Sequence, residues 1–203
     1  MNNTVEQLIA RIRHLEDEIE ASLHDQGDHL RYRLEGRRIL FEDNIKARHR
    51  AAKIRWRNWF GETELRHLVS APFIYSMIVP LVFLDLFLFI YQAVCFRLYR
   101  ISRVPRGDYI VLDRHHLAYL NAFEKLNCIY CSYGNGLLAY AGEIAALTEQ
   151  YWCPIKHARS IAGVHRRYRR FVAYGDSDAY RNEASGFREE IEGLGRKSNM
   201  DQK

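Results

Sequence analysis

The stretch that decides the fold runs from Val69 to Phe96 and reads VSAPFIYSMIVPLVFLDLFLFIYQAVCF. Its only charged residue is Asp85. At about 1.5 Å per residue, a helix of this length reaches roughly 42 Å, which exceeds a hydrocarbon core about 30 Å thick. The stretch therefore predicts one membrane helix that is tilted or kinked.

Two prolines divide this segment. The run Ser70-Ala71-Pro72 is typical of a helix start, whereas Pro80 lies inside and would kink the helix. The flanks do not fix an orientation, because residues 50–69 and residues 97–116 each contain five lysines or arginines. A re-entrant hairpin broken at Pro80, with both ends on one side of the membrane, is the alternative to a single span.

Asp85 and Gln92 are the polar exceptions within the apolar run. They are seven residues apart, so a helix places them about 20° from each other around its axis. A carboxylate at membrane depth costs a few kcal/mol unless it is protonated or paired. We therefore expect Asp85 and Gln92 to line one contact face, either as a polar lock between helices or protomers or as a proton or ligand site.

The whole chain has 203 residues, of which 27% are charged, and its mean hydropathy is −0.35. Charge is absent from one segment and dense elsewhere, which favours an all-α, membrane-attached protein over a mixed globular domain. The internal segment, rather than a cleavable signal peptide, is expected to insert. The predicted order is an N-terminal helical arm at 1–68, a membrane segment at 69–96, a basic juxtamembrane linker at 97–107, a C-terminal helical Cys/His domain at 108–193, and a disordered tail at 194–203.

The N-terminal arm carries apolar residues at alternating spacings of three and four: Val5, Leu8, Ile12, Leu15 and Ile19. Such spacing places them on one seam of a helix, as in a short coiled coil. The pattern slips near Gly27 and resumes at Leu30, Leu34, Phe41 and Ile45. It predicts either homo-oligomerisation or an amphipathic helix packed on its own chain.

The formal charge of +5 comes mainly from arginine. Basic residues cluster at Lys53–Arg57, Arg97–Arg106 and His165–Arg170, and aromatic residues stand among them. Such segments beside an apolar helix suit anionic lipid headgroups. Nucleic acid is the less favoured partner, because no recognition motif accompanies the clusters. A second copy of the chain or a partner membrane protein is the other expected contact.

The C-terminal domain is expected to contain a helical hairpin. One helix would run to about Ser132, the run Tyr133–Gly136 would break it, and a second helix would end at Cys153-Pro154. A basic helix would follow from Ile155. Gly175–Asp178 would cap a final amphipathic helix that ends before Gly193.

Three cysteines and one histidine in this domain have the spacing of a zinc site: Cys128, Cys131, Cys153 and His157. A helix between Cys131 and Cys153 would hold them too far apart for one ion. The predicted hairpin instead brings Cys153 near His116. That places five potential zinc or iron ligands together, namely Asp113, His115, His116, Cys153 and His157.

Cys128 and Cys131 would then lie at the opposite end of the hairpin. They could act as a redox dithiol or contribute to a metal site shared between protomers. The alternative is that these residues form no site, because cysteine is often a small buried apolar side chain and a histidine pair can belong to a helix start.

The runs Asn127–Gly136 (NCIYCSYGNG) and Thr148–His157 (TEQYWCPIKH) resemble a group of uncharacterised bacterial membrane-associated proteins. The resemblance covers roughly the middle third of the chain. It implies a bacterial inner membrane and no catalytic role. The soluble parts are expected in the cytoplasm. A cytoplasmic face would keep the thiols reduced and favour metal over disulfide.

The sequence contains no nucleophile elbow, HExxH motif, kinase motif set or phosphate-binding loop. We therefore expect a membrane-attached interaction or scaffold protein whose Cys/His metal site braces the fold. The alternative is a membrane-bound redox enzyme or metalloenzyme acting on a lipid-soluble substrate such as a quinone. A closed ligand shell would favour the first function, and an open coordination position or a cycling dithiol would favour the second.

Overall fold

The computed structural model describes residues 7–22 except 9, 13 and 20, the backbone of 32–35 and 38–41, residue 49, and residues 65–200, with the backbone alone for 194–200. The chain divides into two compact units at residues 61/62, 114/115 and 125/126. The described residues are mostly helical, as predicted, and one short β-hairpin departs from the all-α prediction.

The described residues between 7 and 22 are helical, as predicted for the arm. The apolar seam is exposed at Leu8, Ile12, Leu15 and Ile19. Val5, its first member, lies outside the described residues. The coiled coil and the homo-oligomer remain predictions.

The prediction that the arm stays helical beyond Gly27 is wrong at residues 32–35 and 38–41. Strand β1 (Tyr32–Glu35) pairs antiparallel with β2 (Arg38–Phe41), and Tyr32 lies opposite Phe41. The strands contain Tyr32, Ile39 and Phe41, which are residue types enriched in strands. Leu30 and Ile45, the other members of the predicted repeat, lie outside the described residues.

The apolar stretch forms helix α1 (Leu65–Ser76), helix α2 (Ile78–Tyr91) and a final π-helical turn (Gln92–Phe96). Together they make a helical span of 32 residues. Among the residues that the structure describes, it is the one helix long and apolar enough to cross a membrane. The helix is confirmed, but it begins at Leu65 rather than at Ser70.

The hairpin alternative is wrong, because the helix continues through Pro80. Proline has no N–H to donate to the carbonyl of Ser76, four residues earlier, and the ladder is irregular at Met77. The Leu81 N–H donates to the Met77 carbonyl at 3.3 Å, so the ladder resumes at once. Pro80 thus lies in the first turn of α2, where a proline is tolerated.

After the π-helical turn the chain reverses. The Ile101 N–H donates to the Phe96 carbonyl at 2.8 Å, and Arg100 takes the left-handed conformation with φ +56°. This is a helix end in which arginine stands where glycine is usual. The following residues are no free linker, since Ile101 and Val104 are buried. We call residues 97–121 the return segment.

Helix α3 (Ala122–Trp152) is one continuous helix of 31 residues, so the predicted turn at 133–136 is wrong. Asn121 and Glu124 begin it with a capping box: the Glu124 N–H donates to Asn121 Oδ1 at 3.0 Å, and the Asn121 N–H donates to Glu124 Oε2 at 2.7 Å. Pro154 follows its last turn, as predicted.

The helical span and α3 pack side by side and run in the same direction. The Tyr130 hydroxyl donates to the Ile74 carbonyl at 2.7 Å near one end, and Tyr91 pairs with Thr148 at 3.0 Å near the other. Two parallel helices that follow each other in sequence require a connection that returns along their length, which the return segment provides. Their shared core contains Phe96, Ile101, Val104, Leu137, Tyr140, Ile144, Leu147 and Ile191.

The residues after α3 do not form the predicted basic helix from Ile155. Ile155 instead makes a parallel bridge to Val172, and a short 3-10 helix covers Arg166–Arg170. Helix α4 runs over Ser177–Met200, and its start is confirmed. Asp176 caps it by accepting the Ala179 N–H at 2.9 Å. The helix continues past Gly193, so the predicted tail is helical as far as Met200.

Candidate functional site

Asp85 holds the return segment and α3 against α2. Its Oδ2 atom is 2.6 Å from the Arg106 Nη2 donor and 3.0 Å from the Tyr133 hydroxyl, and its Oδ1 atom is 3.2 Å from Arg106 Nε. The Asp85 side chain is 18% exposed and that of Arg106 is 50% exposed. The hydrogen bond to the Asp85 carboxylate raises the pKa of Arg106, so the guanidinium stays charged.

Gln92, seven residues after Asp85, makes a second set of polar contacts. Its Oε1 atom accepts the Val104 N–H at 2.8 Å, and its Nε2 atom donates to the Tyr140 hydroxyl. The Gln92 side chain is buried, so these bonds satisfy both ends of an amide that is removed from water. Asp85 and Gln92 thus lie on one face, with partners from the same chain.

The opposite side of α2 is exposed and apolar. Its residues are Val79, Val82, Phe83, Leu86, Phe87, Phe89, Ile90 and Val94, each about half exposed or more. At 100° per residue they cover roughly half of the helix circumference. We call this set the apolar arc. The segment therefore has Asp85 and Gln92 turned inward and a wide hydrocarbon surface turned outward.

Sequence reasoning identified Asp85 and Gln92 but not their partners. The sequence pattern groups Arg106 with the basic residues expected at lipid headgroups, and it predicts a turn at Tyr133. The available signal was weak, since a basic residue 21 positions after a lone intramembrane acid has no local periodicity that would link the two.

The five predicted metal ligands do not share the arrangement on which the prediction rested. His115 and His116 belong to a short 3-10 turn that precedes α3, and their rings are 3.9 Å apart. Asp113 precedes that turn. Cys153 and His157 follow α3 and are exposed. Because α3 has no turn at 133–136, the reason for placing Cys153 near His116 no longer holds.

Cys128 and Cys131 lie one turn apart in the first half of α3. Cys131 is exposed, and about 33 Å of helix separates it from Cys153. All four cysteines lie in the described part of the chain, and all are free thiols. Within that part, no three histidine, cysteine or acidic side chains are grouped closely enough to hold a metal ion. Zinc or iron binding and dithiol chemistry remain predictions.

A cleft that sequence reasoning missed lies between α3 and the loop after it. Its volume is about 650 Å³, within the range of ligand-binding pockets. His165 Nε2 is 2.8 Å from Glu149 Oε2, and its Nδ1 atom accepts the Tyr168 N–H at 3.2 Å. An imidazole that accepts at Nδ1 must carry its proton at Nε2, so His165 donates to Glu149 as a neutral ring.

The other polar groups around this cleft are also paired within the chain. Arg167 donates to Glu143 at 2.9 Å and to Gln150 at 3.1 Å. Burial, with the nearby charge of Glu143, raises the pKa of Tyr109 and keeps its phenol neutral. A carboxylate–imidazole pair is a common element of proton-transfer sites, but here both nitrogens of His165 are occupied by structural bonds. The cleft is better described as a braced junction than as an active site.

Removing the Asp85 carboxylate is expected to loosen the return segment. Asp85→Ala leaves Arg106 and Tyr133 without their acceptor, and we expect a loss of about 1–2 kcal/mol in unfolding free energy, limited by the half-exposed arginine. Chemical unfolding in detergent measures it, with Asp108→Ala on the exposed surface of the same segment as the control. The loss in Asp85→Ala/Arg106→Ala should be smaller than the sum of the two single losses; additive losses would show that the pair is not coupled.

No family model matches this chain, and no curated protein or solved structure matches it either.

Proposed function

We propose that this protein is a membrane-attached interaction or scaffold protein. In it, Leu65–Phe96 is the lipid anchor, and the residues from Cys153 onward form a polar part held at the membrane surface. The observation that carries the proposal is the apolar arc, which stays exposed although the polar residues of the same helix are turned inward and bonded. An exposed apolar surface of this extent marks a contact with lipid or protein.

The width of the apolar arc favours lipid over one protein partner. The stripe that a helix buries against a neighbouring element is at least about 100° wide, and the arc is wider, at about 160°. A bilayer covers the whole exposed half of a helix, whereas one docked helix would leave much of it in water. Lipid is therefore the occupant that accounts for all eight residues of the arc.

The charges next to the anchor favour anionic lipid. Arg97, Arg100 and Arg103 are exposed and follow the end of the helix within seven residues. Each basic residue near an anionic surface contributes about 1 kcal/mol. With the resemblance described above, this supports a bacterial inner membrane and a cytoplasmic polar part. The exposed seam at residues 8–19 supports self-assembly through the arm.

The metal site and the enzyme alternative have less support. The predicted metal site depends on a turn at residues 133–136, and α3 is continuous there. A bracing role is instead performed by organic side chains, such as Arg167 with Glu143 and Arg170 with Glu190, the latter at 2.7 Å. We therefore propose the interaction function without assigning it a metal.

Flotation of the full-length protein with vesicles tests the proposal. Purified protein mixed with phosphatidylcholine–phosphatidylglycerol vesicles should float with them, and it should stay bound after high-salt and alkaline washes, because hydrocarbon contact is insensitive to salt. Vesicles of phosphatidylcholine alone should bind less protein. Release by high salt would show that charge alone holds the protein, and absence from the floated fraction would overturn the anchor.

A further inference from the structure

The contacts between the span and α3 place residues 75–92 of the span at the same level as residues 127–140 of α3. Tyr75 bonds to Asn127 at one end, Asp85 to Tyr133 in the middle, and Gln92 to Tyr140 beyond it. Leu81 also packs against Gly134, since a Cβ built on that glycine would lie 3.4 Å from Leu81 Cδ1. Any depth that α2 reaches in a membrane is therefore also reached by α3.

The return segment is tied to this level as well, and the part of it around Arg106 is polar and exposed. Arg106 meets Asp85 near the middle of the span, and Arg103, Gly107 and Asp108 beside it are exposed. Its backbone is not α-helical between Ile101 and Asn121. Exposed irregular backbone does not occur within the hydrocarbon region, because its peptide groups would lack partners.

A crossing helix is inconsistent with these facts at either depth. If the hydrocarbon core covers the most apolar part, residues 77–96, then Arg103, Arg106 and Asp108 face lipid tails. If the core is shifted toward Leu65 so that Arg106 reaches the headgroups, then Phe87, Phe89, Ile90 and Val94 are left in water. Neither placement suits both the apolar arc and the return segment.

The arrangement of the apolar and polar surfaces around α2 and α3 allows a third placement of the helix in the membrane. The apolar arc lies on one side of α2, and α3 lies on the other. Beyond the second half of α3 come the polar groups Arg167, His165 and Glu190, bonded to Glu143, Glu149 and Gln150. The unit is therefore apolar on one broad side and charged on the opposite side, with its helices parallel to both.

We propose that Leu65–Phe96 lies in the plane of the membrane, with the apolar arc sunk into one leaflet that contains anionic lipid. This deepens the proposed function and rests on it. Arg97 is exposed just beyond Val94 and has a side chain long enough to reach the phosphates. The return segment and the cleft then stay in water on the same side, and no part of the chain has to cross.

Depth measurements along the helix test the proposal. Single cysteines at Val69, Phe83 and Val94 are placed at exposed positions toward the two ends and in the middle of the span. They are introduced into a full-length chain whose four cysteines are serine, after that chain has been shown to float with vesicles as the native one does. Each carries a nitroxide, and its depth in phosphatidylcholine–phosphatidylglycerol vesicles is read from oxygen and nickel-chelate accessibility. Tyr174→Cys, exposed in the polar part, is the water reference.

An in-plane helix predicts similar depths for all three labels, about 5–10 Å below the headgroup boundary. A crossing or re-entrant helix predicts that the Phe83 label is deeper than both ends by about 15 Å, since residues 69 and 94 are about 37 Å apart along the axis. That result would overturn the in-plane arrangement and leave membrane attachment intact. Three labels in water would overturn the attachment itself.

A second reading does not depend on the cysteine-free background. Phe73→Trp and Phe83→Trp are conservative changes at exposed positions in the native-cysteine chain. Quenching by lipids brominated near the headgroup or near the acyl terminus should be alike for the two new tryptophans, measured against the unsubstituted chain. Preferential quenching of Phe83→Trp by the acyl-terminus label would contradict the proposal.

Discussion

Lysine at both Phe83 and Phe87 is expected to release the protein from vesicles. The two rings are 57% and 65% exposed and belong to the apolar arc. A lysine at membrane depth costs about 2.5–3.5 kcal/mol on insertion scales and less near the surface. Two of them should therefore weaken vesicle binding by more than about 100-fold, at 1.4 kcal/mol for each factor of ten. Cosedimentation with increasing lipid measures this loss.

The matched control places the same two lysines outside the arc. Ile161 and Tyr174 are exposed on the polar part, at 43% and 70%. Ile161→Lys/Tyr174→Lys should bind as the native chain does, or more tightly because of the added charge. Since neither ring of the arc is packed inside, the Phe83/Phe87 variant should unfold in detergent like the native protein. Unchanged vesicle binding of that variant would exclude the arc as the lipid contact.

Alanine at Gly136 is expected to destabilise the protein by about 2 kcal/mol. A Cβ at this position would lie 2.5 Å from the Tyr109 carbonyl oxygen and 3.0 Å from the Ile110 Cα. Both are backbone atoms of the return segment, so the clash cannot be relieved by a change of rotamer and the whole segment must move away from α3. Overpacking of this kind costs about 1–3 kcal/mol. Chemical unfolding in detergent measures the loss.

Gly142→Ala is the matched control, six positions later in the same helix. A Cβ there meets nothing within 4 Å. Alanine favours the helix by up to about 1 kcal/mol over glycine, so this variant should be as stable as the native chain or slightly more stable. Equal effects of the two substitutions would mean that the return segment does not pack against Gly136.

Gly136 also explains why the predicted turn in the centre of α3 is wrong. Tyr133–Gly136 was interpreted as a turn, because Gly and Asn favour turns when only local preferences are considered. In the structure Gly136 is required by the close approach of Tyr109, and Asn135 donates to the Cys131 carbonyl at 2.9 Å within the helix. A long-range contact thus overrides a local preference, and a single sequence does not reveal which applies.

The elements that were predicted well depend on short-range signals. The apolar span follows from hydropathy alone, and the start of α4 and the end of α3 follow from Asp176 and Pro154. The polar contacts on the inner side of α2 could not be predicted, because their partners are distant in the sequence. Arg106 and Tyr133 come to Asp85 from 21 and 48 residues away, through a chain reversal that begins at an arginine rather than at a glycine.

The parallel packing of α2 and α3 sets an order of events during synthesis. The partners of Gln92 are the backbone of residue 104 and the side chain of residue 140, so the helix leaves the ribosome well before its second partner exists. At about 5–20 residues per second, those 48 residues take several seconds. For that time the apolar arc and the unpaired inner face emerge together. The nascent chain therefore has to reach a bilayer or a chaperone before its own interior is complete.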